Sequence, residues 1–274
     1  MSHEISADQR TIDWSKIIET ALTAPGNVGN TYNRFYEYSF LNQMYLLMQG
    51  VQEPVATYKR WQAIGRQVLA GSKAKEIIRP VILHKKHKAA ETEVTDEPIE
   101  TVETVVGFKP VRCIFTLSDT AGDELPPVQL PEWDLDTALT KLGIRQVPFD
   151  ELSGNLQGYS RGHDIAINPI AVNPAKTRFH EIGHVMLGHT LPESLAEYAT
   201  HRGIMEFQAE ATAYLTMNEL EQLDEATATR SRGYIQGWLQ GERPPDKAIR
   251  QVFAATDQIL KAGRIAVAGM AEGE

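Results

Sequence analysis

The segment TRFHEIGHVMLGH, residues 177–189, contains three of the eight histidines of this 274-residue chain. Two of them, His180 and His184, are four positions apart. On a helix both imidazoles would therefore lie on one face, within reach of one zinc ion at about 2.1 Å. Glu181 lies beside them, where it can take a proton from a metal-bound water. This H-E-x-x-H pattern predicts a catalytic zinc site. A simpler interpretation, two surface histidines on a polar helix face, also stays open.

A catalytic zinc ion needs a third protein ligand, and the sequence offers several candidates. His189 follows His184 by five residues, whereas the third histidine of the metzincin pattern follows by six. We therefore interpret His189 as a structural residue or a neighbour of the ligands. The segment GIMEFQAEATAYL contains two carboxylates. Glu210 lies at the margin of its apolar face, and Glu206 lies further toward solvent. A carboxylate against apolar neighbours needs compensation, so we predict Glu210 as the third ligand, with Glu206 as the alternative or as a supporting residue.

A helix with defined ends must position the histidines. Asn173 followed by Pro174 is an N-cap and first-turn pair, and Gly188 is a natural stop, which predicts a helix of about four turns. The preceding segment RGHDIAINP, residues 161–169, could run beside this helix as an edge strand that pairs with an extended peptide. Tyr159 or His163 could then approach the scissile carbonyl.

The chain length suits two domains of about 100–150 residues each, and a proline-rich segment marks the predicted boundary. That segment is DELPPVQLPEW, residues 123–133. We predict one domain over residues 1–127 and another over residues 128–274. The first combines three short helices with two strands, KEIIRPVILH and VVGFKPVRCIFTL, joined by a charged tip. The second is mostly helical with a small sheet, so the predicted fold class is α+β.

Charge is strongly segregated along the chain. The net charge of −9 argues against general coating of nucleic acid, yet residues 55–88 carry nine basic residues and one acid. Residues 91–103 carry six acids and no base. A local excess of positive charge is sufficient to attract phosphates, whatever the total.

Aromatic residues are concentrated directly before the basic segment, with eight of the chain's 21 between residues 31 and 61. Aromatic platforms beside a basic track are typical of proteins that bind single-stranded DNA. We predict that Tyr38 and Asn42 contact bases. The basic residues predicted to contact phosphates are Arg66 and Lys73 first, then Lys59, Arg60 and Lys75. Trp61 is predicted to be a core residue, since it fits the buried side of its short helix. The other interpretation of the remaining residues is that the aromatics are also core residues and that the cations are merely solvated.

Several motifs resemble known families. HEIGHVMLGH followed by EFQAEATAYL is similar to zinc metallopeptidases of the ImmA/IrrE kind, which pair H-E-x-x-H with a glutamate in a later E-A-x-x-[FY] helix. RGYIQGWL is similar to a helix of the C-terminal domains of ArdC antirestriction proteins. In the N-terminal half, YSFLN and WQAIGRQV match the ArdC-type patterns Y-S-x-x-N and W-x-x-x-G-R-x-V. Together the similarities cover most of residues 12–260.

The ArdC resemblance implies an N-terminal domain that binds single-stranded DNA, joined to a gluzincin-like peptidase domain that uses Zn²⁺. Such proteins are typical of plasmids, phages and other mobile elements. The family's KGEKG turn reads AGSKAKE here, so Lys73 or Lys75 would have to replace one contact. The acidic segment 91–103 resembles an insertion. The protein substrate, the DNA sequence preference and the oligomeric state are not readable from these motifs.

Two other functions stay open at this point. The chain could mask DNA while a zinc ion plays a purely structural role. It could instead be a regulatory peptidase of the ImmA/IrrE kind that cleaves a repressor. Composition leads us to expect an intracellular protein, and the ArdC resemblance implies the cytoplasm of a bacterial host, a recipient cell or a phage-infected cell. The single cysteine allows no internal disulfide, and neither a secretory signal nor an apolar run of membrane-spanning length is visible.

Overall fold

The computed structural model describes residues 12–23, 38–86, 101–125, 132–152, 155–241 and 243–265. The helices and strands of this part of the chain, in order, are α1 (Trp14–Thr23), α2 (Phe40–Met48), β1 (Val55–Thr57), α3 (Tyr58–Ala63), β2 (Arg66–Val68), β3 (Lys75–Lys86), β4 (Thr101–Thr116), a 3₁₀ turn (Leu117–Asp119), β5 (Thr120–Gly122), α4 (Leu135–Leu142), β6 (Arg145–Val147), β7 (Gly158–Arg161), β8 (Asp164–Ile167), α5 (Pro174–Met186), α6 (Pro192–Glu219), α7 (Glu225–Gln240) and α8 (Asp246–Ala262). The predicted α+β class is confirmed. None of the helices in these ranges combines the length and the apolarity that crossing a bilayer would require.

Contacts divide the chain into two units. Unit 1 comprises Met1–Asp13 and Val55–Gly122, and unit 2 comprises Trp14–Pro54 and Asp123–Glu274. The units differ from the predicted domains because α1 and α2 belong to unit 2. Within unit 2, the Tyr214 hydroxyl donates to the carbonyl of Leu22 at 3.1 Å. The apolar faces of α1 and α2 are thus covered by helices that lie far away in sequence.

Unit 1 is built on a long antiparallel hairpin. The predicted strands are confirmed as β3 and β4, which pair in register from Lys75 opposite Ile114 to Lys86 opposite Thr101. The three-stranded sheet has the order β1-β4-β3, while β2 and β5 form a separate pair. The tip of the hairpin, with most of the acidic segment 91–103, lies outside the described residues.

A buried tryptophan holds the short helix α3 against this sheet. Trp61 is buried, as predicted, and its indole Nε1 donates to the carbonyl of Phe115 on β4 at 2.9 Å. Thr57 is the N-cap of α3, and its hydroxyl accepts from the amide of Arg60. The buried ring and the cap together fix the orientation of the helix that carries Lys59 and Arg60.

Unit 2 places a small sheet against the helix that carries the histidines. The sheet has the order β6-β8-β7, with β8 parallel to β6 and antiparallel to β7. The strand predicted within residues 161–169 is therefore β8, which lies at the centre of the sheet rather than at its edge. Strand β7 forms one edge of this sheet, beside β8. It is too short and too polar for its strand character to be evident from the sequence. The apolar core under the sheet includes Ile165, Phe179 and Ile182.

The end of α6 buries a carboxylate that has no hydrogen-bond partner among the described residues. Glu219 is 5% exposed, and burial raises its pKa to about 8 although Arg264 opposes the rise. Its usual pKa is about 4.3, so between these values the folded chain binds a proton that the unfolded chain has lost. The contribution to stability is complete below about pH 4 and is lost as the pH rises through about 8.

We therefore expect Glu219→Gln to remove a pH-dependent cost of folding. Its Tm should exceed that of the wild type at about pH 9 and approach it at about pH 5, since an amide needs no proton to stay neutral. Thermal unfolding across this range measures the difference. Glu124→Gln, at an exposed position outside α6, is the control and should change little. Equal behaviour of the two variants would contradict the assignment.

Candidate metal centre

The helix that carries the histidines begins and ends where the sequence predicts. The side chain of Asn173 accepts from the amide of Lys176 at 3.0 Å, and Pro174 occupies the first turn. The helix ends at Met186, and Gly188 has a φ of +74°, a left-handed conformation that a residue with a side chain rarely adopts. The last amide contacts form a Schellman motif, in which the amide of His189 donates to the carbonyl of His184 at 3.0 Å.

Helix α6 approaches α5 very closely at a glycine. A methyl group added to Gly183 would lie 3.2 Å from the carbonyl oxygen of Ala209 and 3.3 Å from its Cα. The absence of a side chain at Gly183 therefore lets the two backbones come together. Because this contact lies between His180 and His184 on one helix and between Glu206 and Glu210 on the other, it brings both carboxylates to the histidines.

Three ligand atoms converge where the helices meet. The Nε2 atoms of His180 and His184 are 3.1 Å apart. Glu206 Oε2 lies 3.3 Å from the first and 3.8 Å from the second. In the described part of the chain these three residues form the group of side chains that could hold one metal ion.

Glu210, predicted as the third ligand, lies beside this group of three, and its predicted alternative Glu206 lies within it. Its Oε2 is 3.3 Å from Nδ1 of His180, the nitrogen that faces away from the other ligand atoms. Its Oε1 accepts from Ser231 at 2.6 Å and pairs with Lys176 at 2.8 Å. Glu210 is the more buried of the two carboxylates, as predicted, but Glu206 lies next to both Nε2 atoms.

The carboxylates control the protonation of His180. Burial lowers the pKa of His180, but hydrogen bonds to Glu206 and Glu210 and the charge of Glu181 outweigh burial and raise it to about 9. Burial raises the pKa of Glu210, but contacts with His180 and Lys176 outweigh it and lower the pKa to about 2. At neutral pH the metal-free site thus holds an imidazolium among carboxylates, and a metal ion that binds here displaces a proton.

His189 contacts a ligand histidine rather than the ligand group itself. Its Nδ1 lies 3.0 Å from Nδ1 of His184, and its Nε2 lies 3.2 Å from Oε1 of Gln208. Burial, followed by the proximity of His184, lowers the pKa of His189 to about 4. The imidazole is therefore neutral at physiological pH.

Glu181 points into the cleft from the same helix. It is 8% exposed, and its Oε2 accepts from the Ser160 hydroxyl on β7 at 2.8 Å. No pattern in the sequence indicates a role for Ser160, because a serine in a short polar strand is common. The contact holds the carboxylate beside the ligand atoms without making it a ligand.

A cleft of about 790 Å³ opens over these residues. Strand β7 forms one wall, and the histidines, Glu181 and Glu206 line the floor. Tyr159 lines the cleft, but its hydroxyl donates to Asp150, which raises the pKa of the phenol. His163 is exposed in the turn after β7 and is not among the described residues that line the cleft.

The residues predicted to contact DNA phosphates lie in unit 1 and differ in how available they are. Lys59, Arg60 and Lys73 are exposed, and Lys75 is half-buried at the start of β3. The guanidinium of Arg66 donates to the hydroxyl and carbonyl of Thr120 and to the carbonyl of Gly122, at 2.9, 3.1 and 3.1 Å. Arg66 therefore joins β2 to β5, and most of its donors are used within the unit.

The residues predicted to contact bases lie in unit 2. Tyr38 is half-buried, and its carbonyl accepts from the side chain of Gln43 at 2.9 Å. Asn42 is half-buried in the first turn of α2, where its backbone N–H donates to the hydroxyl of Ser39. The predicted aromatics at positions 32, 35 and 36 lie outside the described residues.

The hairpin register adds a cationic pair that the sequence did not reveal. Arg79 on β3 is directly opposite Lys109 on β4, and both side chains are exposed. Like charges directly opposite each other on a sheet are destabilising. Their 30-residue separation in sequence, across the charged tip, concealed the pairing.

Comparisons with known proteins agree with the predicted resemblance. Residues 4–112 match the family model of the N-terminal domain of anti-restriction factor ArdC. The metal-free crystal structure of the antirestriction ArdC protein from plasmid R388 aligns with a TM-score of 0.48 and 16% identity, over 92% of this chain and 96% of that chain. The Mn(II)-bound structure of the same protein aligns with a TM-score of 0.50 and 16% identity, over 92% and 98%. The second alignment shows a similar fold. No curated protein matches the sequence.

The geometry makes different predictions for the two glutamates. Glu206→Ala removes a ligand atom, so the variant should no longer retain stoichiometric Zn²⁺ after desalting. Glu210→Ala removes only the acceptor at Nδ1 of His180, so Zn²⁺ affinity should fall by about 10–100-fold. Competition titration against a zinc-binding dye measures both, and circular dichroism verifies matched folding. Retention of zinc by Glu206→Ala together with its complete loss in Glu210→Ala would restore the ligand set predicted from the sequence.

Proposed function

We propose that this ArdC-like chain is an antirestriction-type protein that binds single-stranded DNA and hydrolyses peptide bonds with a bound Zn²⁺ ion. The convergence of two imidazole nitrogens and one carboxylate oxygen, with a second carboxylate beside them in an open cleft, carries the proposal. Metal sites built for chemistry keep one coordination position open, whereas structural zinc sites have four protein ligands.

The donor atoms suit zinc in type and spacing. Ligands about 2.1 Å from a tetrahedral zinc ion lie about 3.4 Å apart, and the three atom pairs here are separated by 3.1, 3.3 and 3.8 Å. Ligand histidines usually donate their other ring N–H to an acceptor, and His180 has Glu210 in that position. When bound, a zinc ion would supply Lewis acidity toward water and the peptide carbonyl. The Mn(II)-bound form of the R388 protein is consistent with a divalent cation in this fold.

Glu181 is the residue that we assign to proton transfer. The Ser160 hydroxyl occupies its Oε2 and holds the carboxylate at the cleft floor. Its other oxygen can take a proton from the attacking water and return it to the leaving amine nitrogen. A purely structural metal site would have no use for a carboxylate in this position.

Strand β7 suits an extended peptide as substrate. It is the outer strand beside β8, so one side of its backbone is unpaired within the sheet, and it forms a wall of the cleft. A peptide that added to this edge by main-chain hydrogen bonds would lie over Glu181. Such binding depends on backbone shape more than on side chains, and it requires an unfolded or extended segment of the substrate.

Single-stranded DNA is the partner that we assign to unit 1. The matched N-terminal domain of ArdC covers most of this unit. Its exposed cations include Lys59, Arg60 and Lys73 on α3 and the β2–β3 turn, together with the opposed pair Arg79 and Lys109. A phosphate between Arg79 and Lys109 would relieve their mutual repulsion.

Glu181→Gln tests the enzymatic part. The amide preserves shape and can still accept from Ser160 but cannot take a proton, so hydrolysis should be lost while one zinc per chain is retained. The zinc-loaded full chain, with and without oligo(dT), is incubated with denatured casein and a mixed synthetic peptide pool, and mass spectrometry detects cleavage. Glu132→Gln, at an exposed site that does not line the cleft, is the control. Cleavage that persists in Glu181→Gln, or its absence from the wild type, would refute the peptidase.

Arg79→Gln/Lys109→Gln tests the DNA-binding part. Each lost phosphate contact should reduce the salt dependence of single-strand binding by about 0.7 in the slope of log K against log salt. The double variant should therefore bind oligo(dT) more weakly, with a slope about 1.4 smaller. Arg112→Gln, on the same hairpin but paired with Glu76 at 2.9 Å, is the control. Fluorescence anisotropy at several salt concentrations gives both slopes, and equal slopes for the double variant and the wild type would remove the pair from the interface.

A further inference from the structure

We propose that His189 is a positioning residue that holds His184 in the tautomer with a bare Nε2, the form that can bind a metal ion. The inference rests on the metal site of the proposed function. It concerns a chain of hydrogen bonds that runs from His184 through His189 and Gln208 to the backbone of α8. A backbone carbonyl at the end of this series of hydrogen bonds determines which atom donates and which accepts in each of them.

The carbonyl of Ala248 determines the orientation of the Gln208 side-chain amide. Gln208 Nε2 lies 3.3 Å from the carbonyl oxygen of Ala248 and 3.0 Å from Oε1 of Gln251. A carbonyl oxygen can only accept, so the amide group of Gln208 must point toward α8 with its NH₂. Its Oε1 then faces the other way, toward Nε2 of His189 at 3.2 Å.

The orientation of Gln208 in turn determines the tautomers of His189 and His184. Because Oε1 of Gln208 can only accept, Nε2 of His189 carries the hydrogen, and in a neutral imidazole Nδ1 is then a bare acceptor. That acceptor lies 3.0 Å from Nδ1 of His184. His184 must donate from Nδ1, and its Nε2 is left with a lone pair. This is the nitrogen that faces His180 and Glu206.

The surroundings of His189 favour the neutral ring that this reasoning needs. His189 is 6% exposed, and its two nitrogens contact another imidazole and a neutral amide. Neither neighbour supplies the negative charge that a buried imidazolium requires. The two ligand histidines are thus oriented in different ways: His180 by the carboxylate of Glu210, and His184 by a neutral relay.

The turn at the end of α5 places His189 beside His184. Gly188 reverses the chain in the left-handed conformation, and the amide of His189 donates to the carbonyl of His184 itself. The residue after the glycine therefore folds back beside the ligand that lies in the last helical turn. The five-residue spacing that excludes His189 from a metzincin ligand set is the spacing that a Schellman motif brings into contact.

The first measurement is the tautomeric state in the metal-free full chain. Long-range ¹H–¹⁵N spectra of protein with ¹⁵N-labelled histidine, assigned by substitution, report which ring nitrogen carries hydrogen. We expect the Nδ1–H form for His184 and the Nε2–H form for His189. The Nε2–H form of His184, or the Nδ1–H form of His189, would overturn the proposal. A buried histidine with only a packing role would have no fixed preference of this kind.

Zn²⁺ titration of position-189 variants tests the consequence. An asparagine can place its side-chain oxygen near the position of Nδ1 and preserve the acceptor, so His189→Asn should bind Zn²⁺ nearly as well as the wild type. His189→Leu retains apolar bulk but no acceptor, and its affinity should be about 10–100-fold lower. Equal affinities for Leu, Asn and His at this position would overturn the proposal.

Gln208→Met is the second variant, in case His189→Leu does not fold. It removes the acceptor for His189, so the Nε2–H form of His189 should lose its dominance in the spectra; an unchanged tautomer would count against the relay. Failure of the proposed function would look different. In that case the wild type would bind no Zn²⁺ at Glu206, while the spectra of the metal-free protein would still decide the tautomers.

Discussion

The candidate metal centre depends on the close approach of α5 and α6 at Gly183. Two antiparallel helices normally keep their backbones apart by the side chains between them. Here a glycine faces the backbone of Ala209, so the carboxylates of α6 reach the imidazoles of α5 directly. A larger residue at position 183 would leave H-E-x-x-H intact in sequence and still separate it from Glu206. The H-E-x-x-H motif provides the two imidazoles, and Gly183 allows the helices to lie close enough for Glu206 to reach them.

Compensation of buried charge organises everything around that contact. Each carboxylate in the cleft has a donor matched to its role: Glu210 has Lys176 and Ser231, and Glu181 has Ser160. These donors come from three different elements, so the site ties together α5, α6, α7 and β7. Glu219 shows the contrary case, because burial without a hydrogen-bond partner raises its pKa and makes it a proton-binding group. Carboxylates in the same helix can therefore suit different roles, as candidate metal ligand, as acceptor beside a ligand histidine or as a destabilising residue, according to their neighbours.

The division of the chain into units separates the two activities that we propose. Unit 1 carries exposed cations on α3 and on the hairpin, although the whole chain is acidic with a net charge of −9. Unit 2 contains the candidate metal centre together with α1 and α2, whose residues lie between the two segments of unit 1 in sequence. The chain therefore passes from Trp14–Pro54 of unit 2 into Val55–Gly122 of unit 1 and then returns to unit 2. A truncation at the proline-rich segment would not release an intact N-terminal domain, because it would remove two helices from the contacts that cover their apolar faces.

Local patterns in the sequence determined the helix between Asn173 and Gly188 that carries His180, Glu181 and His184. They also determined the long hairpin and the burial of Trp61. These features depend on capping, periodicity and strand propensity, which act over a few residues. Tertiary structure alone placed Glu206 rather than Glu210 next to both Nε2 atoms, made β7 an edge strand, engaged the donors of Arg66 within unit 1 and set Arg79 opposite Lys109. Each of these depends on the register between elements that are distant in sequence. Periodicity fixes which face of an element is apolar, but it does not fix how far one element slides along another, and a single helical turn separates Glu206 from Glu210.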